Sequence, residues 1–135
     1  TLALAVQFVL SKTPGPVVVN LSTSRAIEDI ARQHDCPIYF TKIGESNVID
    51  KILDCGAVVG GEGNGGVMIP AIHPCRDSFI GIALVLQYMA QTGNTLSQLV
   101  ADIPRYYMVK KKASLSSDQI FGLMEKLKRQ YKIKK

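Results

Sequence analysis

Residues 60–66 read Gly60-Gly61-Glu62-Gly63-Asn64-Gly65-Gly66, five glycines around one carboxylate and one amide. Glycine lets the backbone take positive φ and approach a ligand closely. A carboxylate accepts hydrogen bonds from two neighbouring hydroxyls, and an amide beside it both donates and accepts. Those are the groups that grip a polyhydroxylated ligand such as a sugar, with Glu62 and Asn64 as the contacts and Gly61 and Gly63 as the close-approach positions. A tight turn that needs glycine only for its shape is the competing reading. Gly61-x-Gly63-x-x-Gly66 also satisfies the dinucleotide fingerprint formally, but that motif needs a helix directly after it to receive a pyrophosphate. Here β-prone Val67-Met68-Ile69 follows, and Glu62 would repel the pyrophosphate. With nothing else in the turn for it to pair with, Glu62 is expected to project freely, so that Glu62→Ala leaves the fold intact.

Lys42 precedes a glycine turn at a strand end, a place for ligand contact or for ordinary surface charge. Arg25 lies at a predicted helix N-terminus, where the dipole disfavours a cation, so it serves an anion, a domain contact or solvent. His73-Pro74 reads as loop-shaping rather than acid–base machinery, and Arg76-Asp77 as the start and cap of a helix. Cys36, Cys55 and Cys75 are widely spaced and form no Cys-x-x-Cys pair, which points to reduced thiols in the cytoplasm and away from a metal site. Residues 1–104 carry 6 Lys/Arg against 9 Asp/Glu, and residues 105–135 carry 10 against 2, so the two parts have charges of −3 and +8. A nucleic-acid face on the main body is not supported; a basic C-terminal nucleic-acid binder and a solvated helix facing another domain are the two readings of the tail. The apolar run 79–90 falls short of the roughly 20 residues that span a bilayer, so no membrane partner is expected. The start, Thr1-Leu2-Ala3-Leu4, reads as a cut inside a longer protein.

The elements that must position the loop follow from periodicity. Leu2, Val6, Val9 and Leu10 give an opening helix, broken by Pro14-Gly15-Pro16. Val17-Val18-Val19, Ile38-Tyr39-Phe40, Ala57-Val58-Val59 and Val67-Met68-Ile69 read as four strands. Between them come helices with Ile27, Ile30 and Ala31, then Val48, Ile49, Ile52 and Leu53, facing inward. A long helix over 77–91 is apolar on most sides and is expected to be sandwiched. Thr95-Leu96-Ser97-Gln98 and Ser116-Ser117-Asp118-Gln119 match capping boxes, the latter opening a helix with Ile120, Leu123 and Leu127 inward. The fold class is α/β, a small four-stranded mixed sheet between helices.

The glycine loop after a short strand, followed by Ile72-His73-Pro74-Cys75-Arg76-Asp77 opening a long helix, resembles the third domain of the α-D-phosphohexomutases, the phosphoglucomutase, phosphomannomutase and phosphoglucosamine mutase superfamily. Val17 through Arg25 and Thr41 through Asn47 are similar to that domain's earlier segments, in the same order. The resemblance implies a division into residues 1–15, a helix from a preceding domain; 16–104, domain III; and 105–135, a linker and helix leading into domain IV. It implies a four-domain enzyme that moves a phosphoryl group between C1 and C6 of a hexose through a hexose 1,6-bisphosphate, with a phosphoserine and Mg²⁺ in other domains. Its partners would be the phosphohexose substrate and those missing domains. The Ser-His-Asn-Pro and Asp-x-Asp-x-Asp loops are not in these 135 residues, so this stretch alone is expected to be inactive. Glu62, Asn64 and Lys42 match substrate-contacting positions, with Arg25, Glu45 and His73 as further candidates. Asn64 stands where many members have Ser, Gly66 where they have His, and Glu45 likewise where many have His. A standalone carbohydrate- or nucleotide-binding module is the alternative function.

Overall fold

The structure, a computed structural model, describes residues 1–109 and 114–131. Much of the basic tail singled out above, including Lys110-Lys111-Lys112 and residues 132–135, lies outside the described residues. The elements are α1 (Leu2–Lys12), β1 (Val17–Asn20), α2 (Ala26–Gln33), β2 (Ile38–Thr41), α3 (Glu45–Cys55), β3 (Val59–Gly61), β4 (Val67–Met68), α4 (Ser78–Thr92), α5 (Leu96–Ala101) and α6 (Ser117–Tyr131). The sheet has the order β2-β1-β3-β4, with β1 parallel to β2 and β3, and β4 antiparallel to β3.

β1 is buried throughout, as a central parallel strand covered on both faces should be. Successive side chains go to opposite layers. Val17 and Val19 join Leu2, Ala5, Val6 and Leu10 of α1 and Ile27 and Ile30 of α2. Val18 joins Val48 and Ile52 of α3 and Met68 of β4 on the other face. α1 thus belongs to the core of the sheet.

Four expectations change. β3 starts at Val59, two residues later than the apolar run suggested. Gly60 and Gly61 are strand residues, paired with Met68 and Val67, so the turn proper is shorter than the glycine run. α4 is not sandwiched: Ile80 and Leu84 pack on the core, but Phe79 is 85% exposed, and Ile82 and Leu86 are exposed too. Ile120 and Leu123 of α6 are likewise exposed rather than inward. Apolar periodicity identifies a helix but not how many of its sides meet protein. The caps are as read: the Asp77 carboxylate accepts from the N–H groups of Phe79 and Ile80, and Thr95 and Gln98 close a capping box. No helix among the described residues is long and apolar enough to cross a membrane.

Candidate functional site

The C-terminal ends of β1, β2 and β3 share one edge of the sheet, where open α/β sheets place their ligands. The β3–β4 hairpin turns at this edge. Its closing bonds run from the Glu62 N–H to the Gly66 carbonyl, 3.1 Å, and from the Gly65 N–H to the Glu62 carbonyl, 3.0 Å. Gly65 takes φ +99°, a conformation L side chains rarely adopt. Gly63 has ordinary φ but lies against the Ser22 carbonyl, where a Cβ would collide with backbone.

Glu62 does not project into solvent. Its side chain is 7% exposed. One carboxylate oxygen accepts from the Asn20 side-chain amide at 2.8 Å, and the other meets Arg76 Nη1 at 3.2 Å. Asn20, the last residue of β1, is itself buried. Its carbonyl oxygen accepts from the Ser22 N–H, the Ser22 hydroxyl and the Thr23 hydroxyl, at 3.1, 2.9 and 2.9 Å. Those three donors fix which way the amide points, and so aim its NH₂ at Glu62.

Arg76 bridges two acids. Its backbone N–H donates to Glu45 Oε1 at 3.0 Å, and its Nε and Nη2 lie 3.0 and 2.9 Å from Glu45 Oε2. The Arg76 backbone N–H, then its side chain, hold the Glu45 carboxyl below the usual glutamate range, with a smaller push from the His73 ring. Glu45 in turn raises Arg76. Asn64 is exposed at the turn. With Thr1, Glu45, Gly65, Gly66, Arg76 and Ser78 it lines an open hollow of about 500 Å³.

A strand, not a helix, follows the turn, so no helix N-terminus is offered to a pyrophosphate and the dinucleotide reading is set aside. Over residues 1–107 the chain matches the family described as phosphoglucomutase/phosphomannomutase, alpha/beta/alpha domain III. The chain belongs to the phosphoglucomutase/phosphomannomutase family. It is 32% identical to the phosphoglucomutase/phosphomannomutase of Thermococcus kodakarensis over 120 residues, 88% of this chain and 26% of the relative. It is 31% identical to the phosphoglucosamine/phosphogalactosamine mutase of Sulfurisphaera tokodaii over 99 residues, 73% of this chain and 22% of the relative. The chain spans about a quarter of the length of these curated relatives. A solved phosphoglucomutase/phosphomannomutase family protein from Burkholderia thailandensis superposes with a TM-score of 0.65 at 24% identity, covering 77% of this chain and 23% of that one. At that identity the likeness speaks for the fold alone.

In this phosphoglucomutase/phosphomannomutase domain the other sequence candidates are spread out. Lys42 follows β2 on the same edge, but lines a separate recess with Thr41, Asn47, Asp50, Lys51 and Asp54. Arg25 is taken up by Glu28 and stands over the Phe40 ring, 5.6 Å from its centroid. His73 is exposed, and its backbone N–H donates to the Ile69 carbonyl at 2.8 Å, a loop-shaping bond. The three cysteines are free thiols. Asn20 and Arg76 were missed as site residues. For Asn20 the signal was available: a polar residue that continues an all-valine central strand is buried, and a buried amide needs partners. Nothing in sequence links Arg76 to Glu45, 31 positions away.

A larger and more apolar hollow of about 540 Å³ lies between α1 and α4 at the opposite end of the sheet, with Phe8, Val9, Lys12 and Leu84 among its lining. It brings together none of the candidate site residues that sequence singled out. The polar hollow at the hairpin is therefore the functional candidate.

Proposed function

We propose that this domain orients the sugar in a phosphohexomutase that interconverts hexose 1-phosphate and hexose 6-phosphate through a bisphosphate. Glu62 and Asn64 take the hydroxyls and Lys42 adds charge along the same edge, while Gly61 and Gly63 let the hairpin pack against Leu2 and the Ser22 backbone. Arg25 and His73 remain the outer candidates. The observation that carries this reading is the Glu62 carboxylate, held by one donor on each oxygen at the ligand-binding edge of an α/β sheet, beside exposed Asn64. A carboxylate offers about four acceptor positions, of which these two donors use two. The relatives' names, phosphoglucomutase/phosphomannomutase and phosphoglucosamine/phosphogalactosamine mutase, agree in substrate class.

The family's Mg²⁺ does not fit here. Among the described residues no three of His, Cys, Asp and Glu come together, and Glu45 and Glu62 already share the Arg76 cation. On this reading the metal and the phosphoserine are held elsewhere in the full-length protein, in the cytoplasm, and this chain's own work is binding and orientation. That work matters because phosphoryl transfer depends on positioning and charge stabilisation.

Glucose 1-phosphate titrated into the ¹⁵N-labelled chain should shift the amides of Gly63, Asn64 and Gly65 saturably. Shifts confined to the groove between α1 and α4 would overturn the assignment.

A further inference from the structure

We propose that Arg76 is the positioning residue of this site, and that Glu45 acts through Arg76 as a latch instead of touching the sugar. The inference rests on the sugar-orienting reading above.

The backbone of Arg76 is fixed from both sides. Asp77 caps α4 through the N–H groups of Phe79 and Ile80, and the Arg76 N–H is tied to Glu45 Oε1. Glu45 then takes Nε and Nη2 together on Oε2. A guanidinium is a rigid planar fork, so holding it at Nε and Nη2 determines where Nη1 points. It points at Glu62 Oε2, 3.2 Å away. The stem of Arg76 crosses Gly66, leaving no room for a Cβ there, so the turn is pinned beneath the same side chain. Glu62 is thus held in a frame. Asn20 takes Oε1 from β1, and Arg76 takes Oε2 from the entrance of α4.

Both Glu45 oxygens already accept from Arg76. Arg76 has five N–H groups on its side chain, three of which are used by the two carboxylates. At 39% exposure, the other two are available to a ligand oxygen in the hollow. A lysine cannot reproduce this, because it is a point charge without the fork.

The test uses the 135-residue chain with four forms: unaltered, Arg76→Lys, Glu45→Gln and the double variant. Thermal melts confirm folding, and glucose 1-phosphate affinity and the Asn20 side-chain amide resonance are read by NMR. Arg76→Lys should displace the Asn20 resonance without ligand and weaken binding by about tenfold, the scale of a lost charge-assisted hydrogen bond. Glu45→Gln should weaken binding less. The double variant should stay within about twofold of Arg76→Lys alone, since a latch has no effect once its bolt is gone. Losses that multiply in the double variant would make Glu45 an independent ligand contact and overturn the latch. An Arg76→Lys affinity within about twofold of the parent, far below a charged hydrogen bond, would overturn the positioning role. If Arg76→Lys does not fold, unchanged affinity in Glu45→Gln overturns the proposal. Absence of saturable binding by the unaltered chain overturns the sugar reading itself, and this inference with it.

Discussion

Truncating Glu62 strands two donors, the buried Asn20 amide and Arg76 Nη1. Glu62→Ala should therefore destabilise the chain by roughly 1–3 kcal/mol, the cost of leaving a buried polar partner unsatisfied, read from urea unfolding midpoints. Sequence alone suggested the opposite, a freely projecting carboxylate whose loss leaves the fold intact. The need for glycine around Glu62 was legible because it is local. The partners were not, because Asn20 and Arg76 reach Glu62 only once β1 lies beside β3 and α4 begins beneath the turn. Position matters among the glycines as well. Gly65→Ala forces positive φ on an L residue, and Gly63→Ala collides with Ser22 backbone; both should destabilise, by about 1 kcal/mol or more. The Glu45 pairing sets a pH signature. Its carboxyl is lowered on folding, so its contribution is complete above the unfolded glutamate range and is lost as pH falls through the lowered folded value. Glu45→Gln should flatten acid unfolding in that window relative to the parent.

α4 shows at the level of an element what sequence does and does not specify. Its N-cap was readable from Asp77 before an apolar run, and Asp77→Ala should lower stability by about 0.5–2 kcal/mol, with Asp77→Asn nearly neutral, by thermal or urea melts. The cap also sets the Arg76 backbone, so the same change should disturb the amides of residues 62–66. Which sides of α4 are covered was not readable. Phe79, Ile82 and Leu86 face outward although their spacing resembles that of a buried helix. That the sheet is mixed was legible, since alternating strands and helices imply parallel pairing and a β-prone run follows the glycine turn directly; the order β2-β1-β3-β4 was not. On the proposed reading the reversal at β4 matters, because it puts a carboxylate-bearing turn where a helix N-terminus would receive a phosphate.

Residues 1–107 match an alpha/beta/alpha domain with its polar candidate site at one edge of the sheet, and the chain matches about a quarter of relatives that are phosphosugar mutases by name. The 135 residues contain neither a Ser-His-Asn-Pro nor an Asp-x-Asp-x-Asp loop, so the isolated chain should not turn over glucose 1-phosphate above a contaminant control. A crystal structure of the full-length protein with a bound hexose phosphate decides whether the hairpin at Glu62 holds the sugar. Sugar hydroxyls should lie within hydrogen-bond reach, about 2.5–3.2 Å, of Glu62 and Asn64, with Arg76 still bridging Glu45 and Glu62. A sugar seated away from the hairpin, with Glu62 enclosed by Asn20 and Arg76 alone, would contradict it.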